Sequence, residues 1–270
     1  MATGKKKGLL FDSTRCIGCG ACYLACKERN RLPVTAEDPL ADELSAVTYT
    51  VVQNRRGRFV RRLCMHCEDP TCASVCPVGA LEKTPLGPVV YHPDRCIGCR
   101  YCMVACPFGV PRYEWRSRTP RVRKCDLCYD RVAAGLPTAC AAVCPTGATR
   151  FGDRDELIEE ARARIRAEPD RYHPHIYGLE EVGGTSVLLI ADVAPENLGY
   201  RTDLSAEPLP LLTWNVLKKI PNFVLVGGVL LGGLWWITNR RIAVARAERE
   251  ALGTNRQTEE GQPSDREEQV

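Results

Sequence analysis

The residues of this chain best suited to chemistry are its 16 cysteines, all of which lie between Cys16 and Cys144. They fall into four groups of four. The first (Cys16, Cys19, Cys22, Cys26) and the third (Cys96, Cys99, Cys102, Cys106) share the spacing C-x2-C-x2-C-x3-C. The second (Cys64, Cys67, Cys72, Cys76) widens the middle gap to four residues, and the fourth (Cys125, Cys128, Cys140, Cys144) widens it to eleven. Every group opens C-x2-C and closes C-x3-C, and no cysteine is left over.

Three chemistries use thiols in such numbers. Disulfide frameworks suit small secreted domains, but neighbouring thiols in repeated C-x2-C runs are badly placed for separate staples. Zinc accepts C-x2-C with a distant C-x2-C and has no use for a third cysteine two residues further on. An iron–sulfur cubane takes four thiolates, and the spacing resembles that of bacterial dicluster ferredoxins. In those, three closely spaced thiolates wrap one cubane and the fourth reaches the neighbouring one. The 16 cysteines suffice for four [4Fe-4S] clusters.

The residues between the ligands have their own tasks. Gly18 and Gly98 stand where the backbone must bend tightly and present N–H groups to sulfur. Pro77, Pro107 and Pro145 follow the last cysteine of their groups and stop any helix the ligand run begins. The first group ends instead in Lys27, so the chain is free to continue as a helix through Glu28, Arg29 and Asn30. The segments Cys72–Ala80 and Cys140–Ala148 are near copies.

These ligand runs need elements to hold them. Ala80 to Tyr91 reads as a hairpin turning at Pro85 to Pro88, which closes groups two and three into one unit. Groups one and four flank that unit and form the second pair. Val47 to Gln53 alternates as a strand does. Asp153 with Glu156 forms a capping box for a helix to about Glu168, with Leu157, Ile158, Ala161 and Ile165 on one face. Thr185 to Ala191 reads as a buried strand. The expected fold is α+β: two nested ferredoxin-like units over 8–152, with 63–112 inserted in the outer one. An extension follows over 153–210, then a transmembrane helix over 218–241 and a charged, disordered tail over 242–270.

The span rests on composition. Residues 220–239 carry no charge, and twenty helical residues rise about 30 Å, the thickness of a bilayer core. Lys218 and Lys219 precede it, and Trp235, Trp236, Arg240 and Arg241 mark its far end. Glycines within it suit close packing in a membrane better than a soluble helix. The start MATGKKKGLLF has lysines but neither an apolar run nor twin arginines, and reads as no export signal. A net charge of +4 is too small to imply nucleic acid, and the arginines at 55, 56, 58, 61 and 62 read as a solvated or partner-facing patch. His66 and His92 are placed to tune a neighbouring cluster or to make ordinary loop hydrogen bonds. His173 and His175, flanking Pro174, do not read as haem ligands. No phosphate-binding loop or nucleophile motif is present in the sequence.

The segments LCMHCEDPTCASVCPVGAL, CIGCRYCMVACPFGVPRY, KCDLCYDRV, CPTGATRFG, YGLEEVGGTSVLL and WWITNRR carry a wider resemblance over roughly residues 8–240. The chain resembles the iron–sulfur subunits of the dimethyl sulfoxide reductase superfamily. It looks most like the membrane-anchored beta subunit of respiratory formate dehydrogenases and its relative in membrane-bound nickel–iron hydrogenases. Some relatives replace one cysteine of the fourth group; here Cys128 and its companions are intact.

The resemblance implies crosswise ligation. Cys16, Cys19 and Cys22 take Cys144; Cys125, Cys128 and Cys140 take Cys26. Cys64, Cys67 and Cys72 take Cys106; Cys96, Cys99 and Cys102 take Cys76. It also implies an electron-transfer subunit without catalysis of its own, set between a catalytic subunit and a quinone-reactive or cytochrome b-type membrane subunit. The expected setting is the lipid bilayer, with the cluster domain periplasmic and the C-terminal tail cytoplasmic. Arg240, Arg241, Arg246 and Arg249 favour that orientation, whereas Lys218 and Lys219 oppose it. The alternative is a stand-alone, membrane-tethered carrier or iron–sulfur enzyme, and the span speaks against a diffusible carrier.

Overall fold

A computed structural model describes residues 5–259. Strand β1 (Lys7–Asp12) and helix α1 (Ala21–Arg29) open it, followed by the hairpin β2 (Val51–Arg55) and β3 (Arg58–Arg62). The one-turn helix α2 (Thr71–Ser74) leads into the hairpin β4 (Leu81–Lys83) and β5 (Val89–Tyr91). Helix α3 (Tyr101–Ala105), the short pair β6 (Arg112–Tyr113) and β7 (Val122–Arg123), and helices α4 (Tyr129–Ala133) and α5 (Ala139–Ala142) complete the cysteine-bearing part. Then come β8 (Thr149–Asp153), α6 (Arg154–Ala167), β9 (Val187–Ile190), α7 (Leu209–Leu217) and α8 (Ile220–Glu259). The chain divides into two units, one ending at Leu212 and the other beginning at Thr213.

In the first unit β1 is the middle of a three-stranded sheet, antiparallel to β8 and parallel to β9. A strand covered on both faces reads as a continuous apolar run, and Leu9-Leu10-Phe11 does. Leu9 and Phe11 pack toward the cysteines, in one core with Leu63, Leu127, Cys140 and Tyr177. Leu10 packs on the opposite face against Leu157, Ile158 and Ala161 of α6. The sheet is therefore a wall with thiols on one side and a helix on the other. Buried Asp12 at the end of β1 accepts from Tyr172 Oη (2.8 Å) and from Arg164 of α6 (2.7 Å), clamping helix to sheet.

Several expectations change in detail. The strand read from Val47 begins only at Val51, because the carbonyl of Val47 is turned to accept from Lys27 Nζ at 2.7 Å. Helix α6 has its apolar face where expected, but Asp153 makes no side-chain cap; its carboxylate pairs with Lys7 instead. The strand read over Thr185–Ala191 is confined to Val187–Ile190, with Thr185 bridging to Cys67. The arginine run is not uniformly solvated: Arg61 is buried with 1% of its surface exposed. It sits on β3 between the core residues Val60 and Leu63.

In the second unit α8 extends well beyond the 241 boundary, through Glu259. The expected disordered tail is thus helical over 242–259, where alanines, arginines and glutamates are strong helix formers. Residues 260–270 of that tail, and 1–4 of the lysine-rich start, lie outside the described residues. The stretch Leu209–Glu250 is long and apolar enough to cross a membrane, and none of its apolar window is buried in the chain.

Candidate metal centres

Each ligand run is a tight loop followed by one or two helical turns. Gly18 (φ +70°) and Gly98 (φ +72°) take the left-handed conformation inside the first and third runs. A Cβ at Gly18 would stand 2.2 Å from the ring of Phe59, so any other residue here must displace that ring. Helices α2, α3 and α5 end before Cys76, Cys106 and Cys144 and the prolines that follow, whereas α1 runs on past Lys27 to Arg29.

Helix α1 carries cysteines that line two different cavities. On α1, Cys22 and Cys26 are four residues apart, about 6 Å along the helix axis. One cavity is lined by Cys16, Cys19, Cys22 and Cys144. A second is lined by Cys26, Cys125, Cys128 and Cys140. The first and fourth groups have thus exchanged their last members. In the inner pair the thiols acting most on Cys67 are Cys64, Cys106 and Cys72, whereas those acting on Cys102 are Cys96, Cys99 and Cys76. Neighbouring sets also feel one another. Cys22 is influenced by Cys140, Cys125 by Cys64, and Cys72 by Cys102.

The donor chemistry fits iron–sulfur cubanes. All 16 cysteines are free thiols. Sulfur receives backbone N–H bonds: Ala80 to Cys76 (3.2 Å), Leu127 to Cys125 (3.3 Å), Ala139 to Cys128 (3.4 Å) and Thr149 to Cys144 (3.4 Å). Such donors favour the thiolate. Burial opposes them, raising Cys16 to about 11 and Cys26 to about 12, with neighbouring thiols adding to the shift. Cys72 is likewise pushed to about 12, chiefly by burial. At Cys144 burial is outweighed by hydrogen bonds from Thr149, Thr146 and Ala148, and its thiol lies below the usual value. A metal bound by thiols so raised would have to displace their protons.

Polar side chains hold the runs in place. Lys27, 3% exposed, donates to Thr35 Oγ1 (3.0 Å), Val47 O (2.7 Å) and Thr48 Oγ1 (2.7 Å). It replaces the proline of the other groups with a peg that pins the connection between groups one and two. Arg29 grips Asp126 with both nitrogens (3.0 Å each) and also reaches Asp130, tying α1 to the fourth group. His66 is buried, and its Nδ1 accepts from Val89 N–H at 2.8 Å, which fixes the proton on Nε2. His92 pairs with Glu82 and His175 with Glu181. Sequence reasoning did not find Arg61, nor Lys124, whose Nζ donates to the carbonyls of Val89 and Cys125. Only its position beside Cys125 could have drawn notice to Lys124.

Comparison with known proteins agrees with the geometry. Models of a 4Fe-4S dicluster domain match residues 15–80 and 56–154. A protein of Nitratidesulfovibrio vulgaris is 38% identical, over 89% of this chain and 69% of its own length. The hydrogenase-2 operon protein HybA of Escherichia coli O157:H7 is 38% identical over 71% of each chain. The iron–sulfur subunit of the nitrate-inducible formate dehydrogenase of Escherichia coli (strain K12) is 41% identical over 67% of this chain and 66% of its own. With its cysteine runs, its two dicluster domains and these relatives, the chain belongs to the family of iron–sulfur electron-transfer subunits of formate dehydrogenase and hydrogenase type.

Proposed function

We propose that the chain binds four [4Fe-4S] clusters on crosswise sets of thiols and conducts electrons between a catalytic subunit and a quinone-reactive membrane subunit. The sets are Cys16, Cys19, Cys22, Cys144; Cys26, Cys125, Cys128, Cys140; Cys64, Cys67, Cys72, Cys106; and Cys76, Cys96, Cys99, Cys102. The observation that carries this reading is the lining of the second cavity, where Cys26 stands with three thiols of the fourth group. Bound in these sets, cubanes supply one-electron redox chemistry at spaced points. The chain supplies the spacing, the N–H donors and the low-dielectric surroundings that tune it.

The formate dehydrogenase and hydrogenase relatives support a catalytic partner of that type. The long apolar helix supports an anchor in the bilayer and a surface for a cytochrome b-type subunit. Arginines at 240, 241, 246 and 249 support a cytoplasmic C-terminal end, which leaves the cluster-bearing unit periplasmic. The nested boundaries, 63–112 within 8–152, are part of the same proposal. Metal and sulfide analysis of anaerobically prepared protein tests it. Four sets of four predict about 16 irons and as many acid-labile sulfides per chain; half the iron, or stoichiometric zinc, contradicts the proposal.

A further inference from the structure

We propose that Arg61 is a fixed positive charge shared by the two outer thiol sets, built into the wall between them to raise the reduction potential of the clusters they hold. This rests on the four-cluster reading above. The guanidinium is held rigidly. Its Nε donates to Thr50 Oγ1 at 3.2 Å and its Nη1 to Thr149 Oγ1 at 2.8 Å. Its Nη2 is buried and has no hydrogen-bond partner among the described residues.

The two anchoring contacts show where the charge lies. Arg61 lines the cavity of Cys26, Cys125, Cys128 and Cys140. Thr149 lines the other cavity, and its backbone N–H donates to Cys144 Sγ at 3.4 Å. The bond between them therefore crosses the partition separating the outer sets.

Charge balance supplies the purpose. Arginine stays protonated in proteins, so burying it requires a negative partner. Other arginines here have carboxylates: Arg29 has Asp126, Arg58 has Asp192 and Arg164 has Asp12. Among the described residues Arg61 has no carboxylate partner: it donates to two neutral threonine hydroxyls, and the groups that bear on its charge are the thiols of Cys140, Cys22 and Cys125. Neutral thiols cannot balance it; metal-bound thiolates can. Reduction adds one more negative charge beside a fixed cation and is favoured by it. Arg61 itself lines the cavity of the Cys26 set, whereas the Cys16 cavity is reached through Thr149, so the Cys26 set feels the charge more strongly than the Cys16 set.

The test compares full-length Arg61→Gln and Arg61→Lys with wild type, by iron analysis and by paramagnetic resonance during redox titration. Arg61→Gln is expected to disfavour one-electron reduction of the Cys26-set cluster by about tenfold, equal to about 59 mV. The Cys16-set cluster should shift less in the same direction, and the inner pair should stay unchanged. Arg61→Lys should remain near wild type. Unchanged potentials in a fully loaded Arg61→Gln chain would overturn the proposal, leaving Arg61 a structural pin. So would equal shifts in Gln and Lys. Should Arg61→Gln fail to assemble, wild-type protein carrying ¹⁵N-arginine decides. Hyperfine spectroscopy of the reduced outer clusters must then show coupling to an arginine nitrogen, and its absence overturns the proposal. Fewer than four clusters in the wild type would instead overturn the underlying reading.

Discussion

The outer and inner thiol pairs use nearly the same ligand spacings, yet they are held together by different means. In the inner pair the two groups are joined by the β4–β5 hairpin, and closure is local. In the outer pair the partners Cys26 and Cys125 come from distant parts of the chain, with the inner pair between them. Closing so long a loop costs conformational entropy, and the outer pair has ties to oppose it. These are the β8-β1-β9 sheet, the Arg29–Asp126 pair and the Arg61–Thr149 bond. The cores differ accordingly. The inner pair packs Cys72 and Cys102 with Leu81, Val89 and Val122, so its core is partly made of ligands. The outer sheet has a second face, packed on α6, that contains no cysteine. A ligand spacing defines a cluster site; the distance between its halves in sequence decides how much scaffold it needs.

The largest expected effect comes from removing the metal. In iron-depleted protein, amides of the β4–β5 hairpin should lose protection from hydrogen exchange on the order of a hundredfold, while β1 and β9 keep most of theirs. Equal loss in both regions would show that the outer sheet has no stability of its own.

Glycine substitution sharpens the same contrast. A Cβ at Gly18 meets the Phe59 ring at 2.2 Å, whereas one at Gly98 meets the Tyr113 hydroxyl at 2.9 Å, at the end of a side chain that can move. Both positions are left-handed. Gly98→Ala should cost about 1–2 kcal/mol for that conformation. Gly18→Ala adds overpacking of about 1–3 kcal/mol and should disturb the outer signals alone. Denaturant unfolding of the loaded proteins, read beside their resonance spectra, checks the ranking.

A smaller effect is expected at Lys27. Lys27→Ala leaves Val47 O, Thr35 and Thr48 short of a donor in a buried site, at a cost of about 1–3 kcal/mol. Because the contacts of Lys27 lie on the connection after the first group and on the Tyr23 ring of α1, the inner clusters should be unaffected. A change in their spectra would mean that the two pairs are coupled through that connection.

How far all this could be read from the sequence follows from the range of each interaction. The cysteine spacing, the left-handed glycines, the hairpin at 81–91 and the extended α1 depend on neighbours within a few residues, and each is visible there. Strands β1 and β8 were not singled out because each is short and their pairing joins Lys7 to Asp153 across the whole cysteine region. Asp153 looked like a helix cap until a distant lysine claimed its carboxylate. Arg61 was hidden most completely. In an arginine-rich hairpin nothing local separates the buried residue from exposed Arg55 and Arg56; its burial makes sense only once thiols from two distant groups surround it. The helical course of 242–259 was masked by charge, which signals solvent and not disorder when alanine, arginine and glutamate alternate.

Crosswise ligation, the central claim, is tested most directly by single serine substitutions compared by paramagnetic resonance during redox titration. Cys26→Ser, Cys125→Ser and Cys16→Ser are the three proteins needed. Cys26 and Cys125 line one cavity and Cys16 lines the other. Cys26→Ser is expected to alter the same signal as Cys125→Ser, with the Cys16 signal retained. If Cys26→Ser instead removes the signal lost in Cys16→Ser, each group holds its own cluster and the crosswise arrangement is wrong.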